Sequence, residues 1–281
     1  MTLVNRIGLV CFGERDQWYA QSYLAILNAL ARTPAPAEVV VTTDHPERYR
    51  WFGDRVQIEA LTAHRIEEWS GPQRFVWRAV LKAIAETASR PPPADFLYCD
   101  TDTLARRPLD ELFAALRSGH VFLDRKESLL CRRRGDHRRL WNQVRGRTFL
   151  GIRVDERTEM WNSGVVGVGI DNVHLLQNAL DLCDAITGAG VSNRLVEQLS
   201  QSMVLQSTGR LREAAPWIDH YWGNKAGYDV AVHEQVARIL VCGMDVGQAI
   251  EFARDNPIRK PLRVKPRWWH PYVRRLAGLS R

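Results

Sequence analysis

Residues 96–103 read FLYCDTDT, an apolar run that closes on two aspartates, Asp100 and Asp102, one residue apart. The run has the length and composition of a strand buried on both faces. Two like charges at its end repel, and neither contributes to a core, so a positive charge is expected between them. Mg²⁺ and Mn²⁺ prefer oxygen ligands, and Mg²⁺ commonly takes one or two carboxylates together with substrate phosphates. Asp-x-Asp also arises by chance, and the pair has a plainer reading as a strand cap and a solvated turn residue. The preceding apolar residues favour the metal, because they put the carboxylates at the edge of a core and not on an open loop.

Outward from this strand, apolar runs alternate with helical periodicity. RIGLVCF (6–12), EVVVTTD (38–44) and VQIEAL (56–61) read as strands, with helices predicted near 17–31 and 74–88. Asp110 is expected to cap a helix DELFAALRSG that ends at Gly119. HVFL (120–123) is a further strand, and MWNSGVVGVG (160–169) a strand with a polar kink at its start. Helices are predicted near 172–187, 194–207, 229–242 and 246–254. Strands alternating with helices imply an α/β fold, a mostly parallel sheet covered on both faces. One domain is expected over 1–255, with a basic, aromatic C-terminal tail over 256–281. In open α/β sheets ligands bind beyond the carboxyl ends of strands, which puts Asp44 and the Asp100/Asp102 pair on one rim.

The chain has 281 residues and a formal net charge of +7, but the charge is concentrated. Residues 256–281 carry eight Lys and Arg and no acid, and residues 125–147 carry nine basic residues against two acidic ones. The rest is acidic, so two basic islands stand on an acidic body and point to anionic partners. The 125–147 island is expected to be a mobile loop or an irregular helix, a lid or a clamp on an anionic acceptor. Five scattered cysteines without C-x-x-C spacing argue against a zinc site or a disulfide framework and suggest a reducing compartment. The N-terminal apolar run is too short for a signal peptide, and no stretch approaches the roughly 20 apolar residues of a spanning helix. The expected location is cytoplasmic, with the inner face of the membrane open to the tail. The first strand–helix turn lacks G-x-G-x-x-G, which counts against a dinucleotide site.

Three functions compete on these residues: a nucleotide-sugar transferase, a phosphohydrolase and a non-enzymatic basic protein binding membrane or nucleic acid. DTDTL looks like the Asp-x-Asp-x-Thr/Val motif of haloacid-dehalogenase-like phosphohydrolases. That motif belongs near the N-terminal strand, and the acidic motif that should follow is missing. No helix-turn-helix, zinc pattern or aromatic-basic interleaving supports nucleic-acid binding, so none is expected.

Four segments in order, FLYCDTDT (96–103), MWNSGVVGV (160–168), VEQLSQS (196–202) and HYWGNK (220–225), resemble the GT-A glycosyltransferases of the family-8 type. With the N-terminal strands, the resemblance covers about residues 6–225. Ser163, Glu197 and the absence of Pro-Trp after Asn-Lys depart from the family pattern. The resemblance implies a single GT-A-like domain, a UDP-sugar donor, Mn²⁺ or Mg²⁺, and transfer to a hydroxyl of a glycan, lipid-linked or other acceptor with retention. It implies Asp100, Asp102 and His220 as metal ligands. An imidazole ligand suits Mn²⁺ better than Mg²⁺, although a histidine in this setting also reads as a core residue.

The resemblance further implies Gln198 on the far face of the transferred sugar, with Glu197 beside it offering a carboxylate. Adjacent helical residues point about 100° apart, so only one of the two is expected to face the site. Asn162 looks like the reader of sugar or acceptor hydroxyls, Gly223 permits close approach of a diphosphate, and Lys225 can neutralise it. Each has a bland reading as well: a buried amide that needs partners, a turn glycine, a solvated lysine. Asp44 can accept from a uracil-like base or a ribose, or merely cap its strand. Tyr19 stacks on the base or pads the core. Arg78 and Lys82, one turn apart, reach the diphosphate or are simply solvated. Trp268, Trp269 and Tyr272 among the tail's basic residues favour the interface of an anionic membrane.

Overall fold

A computed structural model describes residues 4–263. The strands are β1 (Val4–Cys11), β2 (Ala37–Thr43), β3 (Gln57–Ala60), β4 (Ala94–Cys99), β5 (Thr103–Ala105), β6 (Val121–Leu129), β7 (Thr148–Phe149), β8 (Ile152–Arg153), β9 (Glu159–Val168), β10 (Leu211–Glu213) and β11 (Ile218–His220). The helices are α1 (Asp16–Arg32), α2 (Ala63–Ser70), α3 (Val76–Ala88), α4 (Asp110–Arg117), α5 (Asp136–Val144), α6 (His174–Gly188), α7 (Val196–Gln206), α8 (Lys225–Val241) and α9 (Val246–Asp255). Seven strands form one sheet in the order β10-β6-β9-β4-β1-β2-β3. All its pairings are parallel except those of β9, which runs antiparallel to both β4 and β6. The protein is therefore a single α/β domain with a mixed, mostly parallel sheet between helical layers.

The central strand shows why its sequence is a continuous apolar run. Leu97 and Cys99 pack into the cluster made with α1, α4, α8 and α9, whereas Phe96 and Tyr98 face the cluster made with α3, α6 and α7. Side chains alternate across the sheet, so a strand covered on both faces needs apolar residues at every position. Entry into β4 is fixed by Arg6 of β1, whose side chain is fully buried. Its guanidinium binds Glu38 at 2.8 Å and donates to the carbonyls of Thr87, Arg90 and Pro92, so one charge anchors β2 and the turn that leads into β4.

Two features aim side chains at the carboxyl rim. Between the pairs Leu123–Val166 and Arg125–Asn162, the single residue Asp124 of β6 faces residues 163–165 of β9. This irregularity is the polar kink expected from MWNSG, and such bulges re-aim side chains. The second is a two-stranded ribbon in which β11 pairs with β5, setting His220 opposite Thr103.

Several expectations are corrected. Asp110 is the first residue of α4 and not its cap; Leu109 occupies that position without a side-chain bond, and the acid instead complements the helix dipole. Residues 125–147 are neither a mobile loop nor an irregular helix. They form the second half of β6, a short 3₁₀ turn and the regular helix α5, and ion pairs tie their basic residues down: Lys126–Glu159, Arg133–Glu127 and Arg139–Asp136. Helix α2 and strand β5 were not foreseen. The first described residues of the tail pack on the domain. Ile258 is buried, its carbonyl accepts from Arg106, and the carbonyl of Pro261 accepts from Asn224. Trp268, Trp269 and Tyr272 lie outside the described residues. All five cysteines are free thiols, and no helix among the described residues is long and apolar enough to cross a membrane.

Candidate active site

Asp100 leaves the end of β4 with its amide bonded to the carbonyl of Gly164, 2.8 Å away, while Tyr98 donates to its Oδ1 at 2.6 Å. Asp102 follows on the turn into β5, and its carbonyl accepts from the amide of Tyr221. The ribbon thereby brings His220 to the pair. Its Nε2 lies 3.6 Å from Asp100 Oδ2 and 3.5 Å from Asp102 Oδ1. Its Nδ1–H donates to the wholly buried carboxylate of Asp124 at 3.2 Å, which fixes the ring and aims Nε2 at the aspartates. Nε2 is buried and makes no hydrogen bond. One atom each from Asp100, Asp102 and His220 lie within 4.8 Å of one another. Two carboxylates and an imidazole whose free nitrogen has no other partner fit a divalent cation of the Mn²⁺ or Mg²⁺ type.

The charges of these groups are strongly linked. Burial opposes a charged His220, but the carboxylates of Asp102, Asp124 and Asp100 around the ring outweigh it and raise its pKa to about 10. Burial likewise opposes ionised Asp102, yet His220 and Lys225 hold it at about 2. Lys225, at the start of α8, reaches Asp102 Oδ2 at 2.9 Å. Asp100 is pushed up by burial and by the neighbouring Asp102.

Gly164 makes this packing possible. A Cβ there would come within 2.0 Å of the His220 ring. The glycine of MWNSG is thus needed for close approach of a side chain, not for an unusual backbone angle.

Two adjoining clefts meet at the aspartates. One, of about 310 Å³, is bordered by Asn162, Ser163, Glu197, Gln198 and Glu127. The other, of about 300 Å³, is bordered by Phe12, Trp18, Val76 and Val10. Trp77, Tyr98, Asp100, Asp102 and Lys225 line both. Glu197 and Gln198 both border the first cleft, although only one was expected to; they lie in the opening turn of α7, where the helix end itself meets the cleft. Glu197 bonds Gln201 and Ser163, and burial, with the Asp100 charge adding to it, pushes its pKa up to about 8. Gln198 Nε2 is buried without a partner. Asn162 donates to Glu127 at 3.4 Å and accepts from the amide of Gly164. Burial raises the cost of charge on Glu127, but His137 and Arg133 outweigh it and hold it at about 2. Gly223 lies in an exposed 3₁₀ turn with open space around it.

Four residues nominated from the sequence have other partners. Tyr19 is buried; its hydroxyl bonds Asp44 Oδ1 at 3.0 Å, and the Arg48 guanidinium covers its ring. Asp44 Oδ2 accepts from the amide of Gly13, so both its oxygens brace the loop that carries Phe12. Arg78 makes a two-pronged pair with Asp184 at 2.5 and 2.8 Å and donates to the carbonyl of Trp69. Lys82 pairs with Glu86 one turn on, at 2.6 Å. None of the four borders either cleft. Residues not anticipated are Asp124, Glu127, His137, Trp18, Trp77 and Trp222. Asp124 carried the same signal as Asp100, an acid closing an apolar run (HVFLD).

The chain matches no protein-family profile and no curated protein. Among solved structures, mouse xyloside xylosyltransferase 1 in its apo form is similar with a TM-score of 0.52 at 11% identity, over 82% of this chain and 92% of that one. The galactosyltransferase LgtC, in complex with donor and acceptor sugar analogues, gives a TM-score of 0.47 at 11% identity over 74% of this chain and 73% of that one. The glycosyltransferase GlyE of Streptococcus pneumoniae TIGR4 gives 0.44 at 12% identity over 86% of this chain and 52% of that one. At 11% identity, what this chain shares with the xylosyltransferase is the fold. It is the GT-A-like glycosyltransferase fold that the ordered motifs implied.

Replacing Gly164 by Ala should displace the His220 ring and weaken Mn²⁺ binding at least tenfold, read by isothermal titration. The Glu197 carboxyl stays protonated in the folded chain above the pH at which it ionises in the unfolded one. From pH 4.5 toward about 8 the folded state therefore binds more protons, and stability falls as pH rises. Glu197→Gln should remove that part of the decline, measured as the difference in melting temperature between the two proteins across this range.

Proposed function

We propose that this protein transfers a sugar from a nucleoside diphosphate donor, with UDP the nucleotide the motifs favour, to an acceptor hydroxyl with retention of configuration. The observation that carries the reading is the convergence of Asp100, Asp102 and the unpartnered Nε2 of His220 where the two clefts join. The aromatic cleft beside Trp18 and Phe12 suits a nucleobase, whose flat apolar faces need such surfaces. The polar cleft beside Asn162, Glu197 and Gln198 suits a sugar, whose hydroxyls need buried donors and acceptors. A diphosphate linking the two would cross the aspartates.

Asp100, Asp102 and His220 would hold Mn²⁺ or Mg²⁺, which when bound neutralises charge on the diphosphate leaving group. Asp124 keeps the His220 ring oriented. Lys225 supplies a second positive charge at the same junction, and the open turn at Gly223 leaves room for the diphosphate backbone to approach. Asn162 and Glu127 read hydroxyls of the transferred sugar. Gln198, with its amide nitrogen free, faces the sugar near Glu197. The bond from the anomeric carbon to the diphosphate oxygen breaks, the bond from that carbon to the acceptor oxygen forms, and the acceptor proton passes to the departing diphosphate. Preorganised charge at the leaving group is the main source of rate enhancement in such an arrangement.

The basic, aromatic part of the tail that follows the segment packed on the domain, residues 264–281, is proposed to dock on an anionic membrane surface, where its Lys, Arg, Trp and Tyr would partition to the interface. Full-length protein should float with anionic liposomes while a 1–263 truncation, which keeps the packed segment, does not; equal failure of both would end this part of the proposal.

UDP with Mn²⁺ should raise the melting temperature by roughly 5 °C or more at a hundredfold excess over Kd. Asp102→Asn should lose most of the shift and the sugar transfer with it. Metal-dependent release of phosphate from p-nitrophenyl phosphate, with no response to UDP, would favour phosphohydrolase chemistry instead.

A further inference from the structure

A third concavity opens from the tryptophan that separates the two clefts. It is a groove of about 630 Å³ between the start of α3, helix α5 and the loop joining α6 to α7. Trp77 and Arg194 line both this groove and the sugar-side cleft, so the two are continuous. Val76 and Trp77 also border the aromatic cleft, so the groove opens beside the junction of the two clefts, and Arg194 joins it to the sugar side alone.

The groove is built to receive negative charge. Arg74, Arg139 and Arg194 line it, and each side chain is more than half exposed. The acids that answer them are Asp136, shared by Arg139 and Arg194, and Glu67, 3.9 Å from Arg74. Three guanidinium forks against two carboxylates leave donors free for a carboxylate or a phosphate. Gln73, Gln143 and Ser192 add neutral hydrogen-bonding groups, and the half-exposed indole of Trp77 adds a flat apolar face.

Arg74 also holds a φ of 50°, in the left-handed region that costs a non-glycine residue energy. A glycine would meet the backbone requirement without strain, yet the chain carries a guanidinium there, at the mouth of the groove.

We infer that this groove holds the acceptor, and that the acceptor bears a phosphate or carboxylate set back from the reacting hydroxyl. The anion pairs with Arg74 and Arg139, while Trp77 packs on the ring that presents the hydroxyl to the donor sugar. The inference rests on the proposed sugar transfer, and it narrows the acceptor from any hydroxyl compound to an acidic one.

Three probes that differ in charge test it: p-nitrophenyl glucoside, p-nitrophenyl glucuronide and p-nitrophenyl glucoside 6-phosphate, each titrated calorimetrically into the full chain at low salt. At least one charged probe should bind ten times more tightly than the neutral one, with the margin shrinking as salt rises. Preference for the 6-phosphate or for the glucuronide identifies the anion as phosphate or carboxylate. In R74G/R139A the margin should fall below threefold while the neutral probe binds as before. The glycine suits the left-handed backbone, and melting temperature controls for folding. Equal binding of charged and neutral probes, or an undiminished margin in the double variant, would overturn the inference. A parallel titration of the wild type with UDP and Mn²⁺ separates the two proposals. UDP binding without charge preference removes only the acidic acceptor, whereas charge preference without UDP binding removes the transferase reading and leaves an anion site.

Discussion

Three carboxylates at the rim of this sheet, Asp100, Asp102 and Asp124, depend on one imidazole. His220 stands between them, with its Nδ1 held by Asp124 and its Nε2 turned to the other two. Charge taken out of water costs several kcal/mol per ion unless it is matched. Lys225 on Asp102 and Arg125 on Asp124 supply the rest of the compensation. Much of the surrounding architecture serves to bring these groups together. The β9 irregularity opens the backbone beside Asp124, the β5–β11 ribbon delivers His220, and the missing side chain at Gly164 leaves room for its ring.

This constraint gives the site its chemistry. A ring fixed through Nδ1 presents Nε2 in one direction only, and that direction is the gap between two carboxylates. Such a group is predisposed to exchange its proton for a metal, since both ligands and partner are already oriented. The clefts to either side differ in kind, aromatic on one and amide- and carboxylate-lined on the other. Trp77 borders both clefts and the basic groove beyond, so donor and acceptor would meet beneath one side chain.

Much of this was legible in the sequence. FLYCD announces a strand buried on both faces ending in acid, MWNSG a strand with a polar break, and the spacing of apolar runs the layered sheet. The triad of Asp100, Asp102 and His220 was assembled from ordered motifs, and the structure gathers its atoms. Partners distant in sequence were not legible. Arg78 read as reaching a diphosphate or as simply solvated, and Asp184, 106 residues on, takes its guanidinium. Tyr19 and Asp44 satisfy each other, and Lys82 finds Glu86. Asp124 closes an apolar run as Asp100 does, but its bond to His220, 96 residues away, could not be read from the sequence. The arginine-rich segment read as a mobile loop or an irregular helix because charge dominates its composition, whereas Leu140, Trp141 and Val144 of α5 anchor it in the core.

The most direct test is a crystal soaked with MnCl₂ and UDP and measured at a wavelength where manganese scatters anomalously. The predicted result is one strong anomalous peak bounded by Asp100, Asp102 and His220, with the diphosphate against it and the base beside Trp18. Manganese bound elsewhere, with His220 still turned to the aspartates and no nucleotide in the clefts, would contradict it.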